Sequence, residues 1–177
     1  MGSASPEVLL DAAGVADTLE RLADELRAAL PEGVSVAVIG VRSRGEIIAE
    51  RLVAALERRG LEDIETGALD ITLYRDDLAE LGPKATVRLT DIDFDINGRY
   101  VILVDDVLYT GRSIRAALDA LVDLGRPKAI KLIVLVERPG RELPIQADLV
   151  GVRVSDPDAE VTVHLAESDG VDEVLIG

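Results

Sequence analysis

Residues 101–113, Val-Ile-Leu-Val-Asp-Asp-Val-Leu-Tyr-Thr-Gly-Arg-Ser, constrain this chain more than any other stretch. Val101, Ile102, Leu103 and Val104 form an unbroken apolar run, which predicts a buried strand of a parallel sheet. Asp105 and Asp106 stand where that strand is expected to end. Thr110, Gly111, Arg112 and Ser113 then lead into Ile114-Arg115-Ala116-Ala117-Leu118, which has helical spacing. A glycine-containing turn ahead of a helix leaves backbone N–H groups unpaired, and the positive end of the helix dipole adds to them. Such a turn accepts a phosphate, each exposed charge–dipole contact being worth about 0.3–1 kcal/mol. Paired carboxylates beside a phosphate repel it unless they face hydroxyl groups or a divalent cation. Hydroxyls with a phosphate mean a sugar phosphate, and a hard cation such as Mg²⁺ suits carboxylates and diphosphate. The plain alternative is an ordinary strand–loop–helix connection capped by Ser113. Apolar strand, double acid and Thr-Gly-Arg-Ser in one order favour the binding site.

The flanking sequence repeats the pattern. Val34–Gly40 reads as a strand, Arg42-Ser43-Arg44-Gly45 as a loop, and 46–59 as a helix. Arginines in that loop suit a diphosphate, because guanidinium forks match phosphate oxygens. Upstream, Asp11 is a helix N-cap, and Val15, Leu19, Leu22, Leu26 and Leu30 recur at helical intervals until Pro31 and Gly33. That stripe could serve core or interface. Residues 69–74 are predicted as a strand running into a mobile loop (75–84), with Val87–Leu89 as its return strand and Asn97-Gly98 as a turn. A helix ends at Gly125 and Pro127, the strand 129–136 and a polar loop (137–144) follow, and short strands are expected at 149–154, 161–165 and 174–176. Strands alternating with helices imply an α/β fold with a central, mainly parallel sheet and a small terminal β region. Ligands of such sheets sit at the carboxyl ends of the strands, which gathers the loops at 42–45, 74–84, 105–113 and 137–144.

Composition narrows the partners. The net charge of −15, from 19 Lys plus Arg against 34 Asp plus Glu, opposes a phosphate backbone. Three Tyr and one Phe give little surface for stacking bases. With no cysteine, thiolate catalysis and zinc-thiolate sites are excluded. No run is long enough to span a bilayer and no secretion signal precedes the fold, so a cytoplasmic protein without membrane contact is expected. Met1-Gly2-Ser3 reads as a cloning remnant rather than a targeting segment.

The 101–113 stretch resembles the thirteen-residue signature for phosphoribosyl diphosphate (PRPP) of type I phosphoribosyltransferases. Leu69-Asp70-Ile71-Thr72-Leu73-Tyr74-Arg75-Asp76-Asp77-Leu78, the stretch 119–127 and Arg141-Glu142-Leu143-Pro144-Ile145 make the resemblance more specific. Together they are similar to the PyrR family, bifunctional pyrimidine-operon attenuators and uracil phosphoribosyltransferases. The resemblance covers nearly the whole chain and implies one phosphoribosyltransferase domain over 1–177. It implies a Mg²⁺-dependent reaction of uracil with PRPP giving UMP and diphosphate, with UMP and UTP as further ligands, in a homo-oligomer (dimer or higher).

Carried over, the resemblance gives Tyr109, Thr110, Gly111, Arg112 and Ser113 to the 5′-phosphate, with Ser113 replacing the family's usual Thr. Asp105 and Asp106 would be catalytic, meeting the ribose hydroxyls and the metal. Ser43, Arg44 and Gly45, in place of a Thr-Arg-Gly loop, would meet diphosphate. Glu137 and Arg138, where the family has Asp at 137, would open the uracil loop (about 137–145), and residues 74–87 would form the flexible loop. The family's RNA face is poorly kept. Its Thr-Arg-x-x-His pattern is Glu20-Arg21-Leu22-Ala23-Asp24 here, and its Gly-His-Arg is Pro139-Gly140-Arg141. Of the basic positions only Arg21, Arg27 and Arg141 survive, which predicts weak or absent binding of pyr mRNA. His164, between Val163 and Leu165, reads as a strand residue of the terminal sheet. Two other readings stay open: a nucleotide-sensing RNA-binding attenuator with little catalysis, and an inactive redesigned scaffold.

Overall fold

The protein is seen in a computed structural model that describes residues 5–177; the Met1-Gly2-Ser3 segment lies outside the described residues. Strand β1 (Glu7–Leu10) enters helix α1 (Ala12–Ala29), whose first turn is capped by Asp11 accepting from the Gly14 N–H at 2.8 Å. Next come β2 (Val36–Val41), α2 (Arg44–Glu57) and β3 (Glu65–Leu69). A short helix, α3 (Leu78–Leu81), precedes β4 (Tyr100–Leu108), α4 (Arg112–Leu124) and β5 (Ala129–Glu137). The chain closes with β6 (Leu149–Arg153), β7 (Val161–His164), the one-turn α5 (Ala166–Asp169) and β8 (Glu173–Ile176).

Strands β3-β2-β4-β5-β6 form a five-stranded parallel sheet, and β1-β8-β7 a three-stranded antiparallel one. The alternation along each central strand divides the core. Val36 and Val38 of β2 and Ile102 and Val104 of β4 pack with α1, α2 and the terminal sheet. Ala37, Ile39, Val101 and Leu103 pack under α4 on the other face. Each fully buried Leu or Ile of these layers contributes about 1.5–3 kcal/mol relative to exposure. The α1 stripe Val15, Leu19, Leu22, Leu26 and Leu30 is buried, so within this chain it serves as core. Among the described residues no helix is long and apolar enough to cross a membrane.

Four expectations change. The strand predicted at 69–74 lies earlier, at Glu65–Leu69, because β3 is in register with β2 from Ala37↔Glu65 to Val41↔Leu69 and stops where β2 stops. Beyond it the Asp70 carboxylate accepts from Thr72 N–H (3.1 Å) and Thr72 Oγ1 (2.7 Å), and this local bonding turns the chain into a 3₁₀ turn at Thr72–Tyr74. No return strand forms at Val87–Leu89: a single bridge, Ala68↔Asp91, joins this region to the sheet, and Asp70 Oδ2 accepts from the Arg88 N–H at 2.6 Å. Helix α2 starts at Arg44 rather than at residue 46. Finally β4 does not end at Asp105 but runs on to Leu108, carried by pairing with β5 as far as Leu108↔Glu137.

Candidate active site

Connections from β2 lead to one side of the sheet and those from β4 to the other, so the strand order reverses between β2 and β4. Such a switch point opens a crevice at the carboxyl ends of the strands. The pairing shows how. Strand β2 accompanies β4 only to Gly40↔Val104, whereas β5 accompanies it through Leu108. Asp105 and Asp106 therefore lie just past the point where β4 loses one neighbour. They border a cavity of about 290 Å³ with Arg42, Ser43, Arg44, Asp70, Thr72, Arg75 and Ser113. Asp105 is buried, with Oδ1 accepting from Asp106 N–H at 2.9 Å, and Asp106 Oδ1 accepts from Val107 N–H at 2.8 Å. Burial first, then the adjacent Asp106 charge, pushes the Asp105 carboxyl well above the usual carboxylate range.

Two glycines let the start of α2 approach these acids. A Cβ on Gly40 would lie 2.4 Å from Glu46 Cα and Gly45 O, and one on Gly45 would lie 2.6 Å from Val104 O and 3.2 Å from Asp105 Cα. The peptide joining Arg42 to Ser43 is cis. Arg42 pairs with Glu46 at 2.8 Å and donates to Leu89 O at 2.7 Å. Arg44 borders the cavity while its guanidinium meets Asp169 of α5 at 2.8 Å.

At the turn, Gly111 takes the left-handed φ of +91° that favours glycine, and a Cβ added there would lie 3.3 Å from both Arg141 Cδ and Ile145 Cβ. Helix α4 begins at Arg112 without a side-chain cap; Thr110 Oγ1 instead accepts from Arg112 N–H at 3.2 Å. The open first-turn amides are the donors expected there. A second cavity, about 510 Å³, spreads from Thr110, Arg112 and Ser113 to Arg75, Asp76, Asp77 and Glu80. Ser113 and Arg75 border both cavities. Arg112 crosses between loops, binding Asp76 and Glu142 at 2.6 Å each.

The segment after β5 folds against this turn. Arg141 donates to Ile145 O at 2.8 Å, to Tyr109 O, and to Glu137 Oε1 at 2.7 Å. Glu137 also receives Arg153 at 2.9 Å, and the Arg138 guanidinium stacks 4.0 Å from the Tyr109 ring centroid. The side chains of Glu137 and Arg138 thus border a separate cavity of about 220 Å³ with Pro139, Arg141, Arg153 and Val154, away from the two acids. The fold brings together 42–45, 105–106 and 110–113, but not the side chains of 137–138.

The three remaining basic positions do not form a free set. Arg141 is committed internally, Arg21 binds Glu25 at 2.8 Å and Gly151 O, and Arg27 lies 3.9 Å from Glu32. His164 sits in β7 with Nδ1 2.9 Å from Glu173 Oε1, as a strand residue of the terminal sheet. Sequence reasoning missed Asp169, Asp76 and Glu142, the carboxylate partners of Arg44 and Arg112. Glu142 and Asp76 lay in stretches singled out as unusual strings; Asp169 carried no signal.

The Phosphoribosyl transferase domain family matches residues 7–168 of this chain. "Bifunctional protein PyrR" of Deinococcus deserti is 51% identical over 173 residues, covering 97% of this chain and 94% of that one. The protein of the same name from Roseiflexus is 51% identical over 170 residues, covering 95% and 93%. That from Thermus thermophilus is 47% identical over 167 residues, covering 94% and 92%. Among solved structures, a hypoxanthine-guanine phosphoribosyltransferase of Bacillus anthracis superposes with a TM-score of 0.72 at 24% identity, covering 92% of each chain. A hypoxanthine phosphoribosyltransferase of Trypanosoma cruzi gives 0.75 at 20% identity, covering 98% of this chain and 95% of that one. These two likenesses show the fold, whose central sheet and flanking helices they share. With its switch-point acids, its glycine turn and this extent of identity, the chain belongs to the PyrR family of type I phosphoribosyltransferases.

Proposed function

We propose that this chain is a uracil phosphoribosyltransferase, converting uracil and PRPP to UMP and diphosphate, and that residues 1–177 act as one catalytic domain. The reading rests above all on one juxtaposition. The Asp105–Asp106 pair and the Ser113 end of the glycine turn border the same cavity, as an activated sugar phosphate requires. The first-turn amides of α4, with the hydroxyls of Thr110 and Ser113, receive the 5′-phosphate. Asp105 and Asp106 face the ribose, where they stabilise the positive charge that develops at the anomeric carbon as its bond to diphosphate breaks. Arg44 presents a guanidinium to the departing diphosphate. No covalent nucleophile is needed.

The donor set fits Mg²⁺. Two adjacent carboxylates border one cavity with no thiolate or imidazole beside them, and hard oxygen donors of this kind suit that ion. Asp105 and Asp106 would hold it; when bound it neutralises charge on the diphosphate. Among the described residues no group of three or more His, Cys, Asp or Glu gathers as a metal cluster. The base is read by backbone groups of the 137–145 loop, since the Glu137 and Arg138 side chains are engaged elsewhere.

The attenuation role of the family is weak in this chain, because Arg141 is spent internally and the surface carries a net −15. Asp105→Asn with Asp106→Asn tests the catalytic reading: UMP formation is lost while the far-ultraviolet circular dichroism is kept. Unchanged turnover would refute it. Filter retention of an attenuator-type hairpin at rising salt tests the second point, where nanomolar, salt-sensitive binding would contradict it.

A further inference from the structure

Asp169, in the terminal sheet's short helix, reaches the crevice through one partner. Arg44 Nη2 donates to Asp169 Oδ1 at 2.8 Å, and Arg44 Nε donates to Oδ2 at 3.3 Å. The carboxylate is itself fixed, because Oδ2 also accepts from Leu165 N–H at 2.9 Å and from Ser168 Oγ at 2.8 Å. Two turns further along α2, Arg51 fastens the same short helix by binding Glu167 (Nε to Oε1, 2.9 Å) and Asp172 (Nη2 to Oδ1, 2.8 Å). The attachment of α5 to α2 therefore does not depend on Asp169.

The grip has a directional consequence. Nε and Nη2 occupy one edge of the Arg44 guanidinium, and Nη1 has no hydrogen-bond partner among the described residues. The same side chain borders the cavity that holds Asp105, Asp106 and Ser113. A free arginine at a cavity mouth spreads over many rotamers, and ordering it on binding weakens the contact it makes. A two-point grip removes that freedom beforehand.

Resting on the reading of Arg44 as the diphosphate contact, we infer that Asp169 is a positioning residue, which holds the Arg44 guanidinium so that its Nη1 edge meets the diphosphate end of the substrate. The acid lies 125 residues from its arginine, so the terminal sheet takes part in substrate binding rather than only covering the core.

Steady-state kinetics and calorimetric titration of diphosphate with Mg²⁺ on the full chain test this with Asp169→Asn, Asp169→Glu and Arg51→Gln. In Asp169→Asn the KM for PRPP and the Kd for diphosphate rise roughly tenfold, the scale of one charge-assisted hydrogen bond. The KM for uracil is unchanged and kcat falls less than KM rises. Asp169→Glu recovers part of the loss, and Arg51→Gln lowers the melting temperature while leaving the KM for PRPP in place. Equal diphosphate affinity in wild type and Asp169→Asn overturns the inference. So does tighter binding in the variant, which would make Asp169 a competitor of the anion. A wild-type chain that makes no UMP sinks the catalytic reading instead, and the titration still decides the role of Asp169.

Discussion

Arg112 and Glu142 join at 2.6 Å, Nε to Oε2, across the 29 residues between them. The other arm of Arg112 holds Asp76 Oδ2, also at 2.6 Å, so one guanidinium ties the 75–84 segment and the loop after β5 to the glycine turn. These side chains are about half exposed, and pairs of that kind contribute about 0–1 kcal/mol. Asp76→Asn should therefore leave the melting temperature nearly unchanged. It should speed tryptic cleavage at Arg75, Lys84 and Arg88 by up to about fivefold, the factor that 1 kcal/mol permits. Equal cleavage rates would mean that Arg112 does not restrain the segment.

Gly45 is a stricter requirement. An added methyl would meet the Val104 carbonyl at 2.6 Å, and a backbone oxygen in a central strand cannot move aside. Gly45→Ala is expected to lose about 1–3 kcal/mol by overpacking. Because the shift lands on Asp105, transfer should fall by more than the fraction unfolded. Urea denaturation beside UMP formation separates the two, and wild-type values for both would show that α2 can withdraw freely.

Asp105 should limit stability rather than supply it. Its carboxyl is pushed up by burial and by Asp106, so the folded state disfavours the charged form. The resulting cost is absent below the ordinary aspartate value of 3.8 and grows as pH rises toward the raised value. Asp105→Asn should therefore be more stable than wild type at pH 8 without Mg²⁺ or PRPP. The advantage should fade toward pH 4. Thermal melts across that range check it; a variant less stable at every pH would count against a disfavoured charge.

The acid side behaves in the opposite sense at the terminal sheet. The Leu165 N–H, then Arg44 and Ser168, hold the Asp169 carboxyl down to about 2, and Arg51 lowers Glu167 and Asp172. Stability from such groups is complete above their unfolded values and is lost as pH falls through the folded ones. Wild type should lose stability between pH 3.8 and about 2, and Asp169→Asn should lose less over the same interval. Parallel acid-unfolding curves for the two proteins would contradict this.

Much of this architecture was legible because the signals were local. The apolar run at 101–104, the stripe from Val15 to Leu30 and the glycine turn each announce an element through neighbours a few residues apart. The acids and the turn could be joined in thought because the parallel-sheet rule places them at one edge. What failed was decided at a distance or by a single side chain. Asp70 turned a β-prone stretch into a 3₁₀ turn by bonding Thr72, and β5 extended β4 past the acids. The partners of Arg44, Arg112 and Arg141 were invisible because ion pairing leaves no periodicity. An arginine counted as available for RNA can be spent on an acceptor far along the chain, as Arg141 is on the Tyr109 carbonyl.

Arg141 carries one further consequence. By bonding Ile145 O, Tyr109 O and Glu137 it makes the segment after β5 and the turn after β4 a single rigid piece. On the roles proposed for these two segments, base preference and sugar-phosphate affinity are then not separable modules in this chain. An engineer seeking a new acceptor by transplanting 138–145 from a relative would have to move Tyr109 and its neighbours with it, or accept a weaker hold on the sugar.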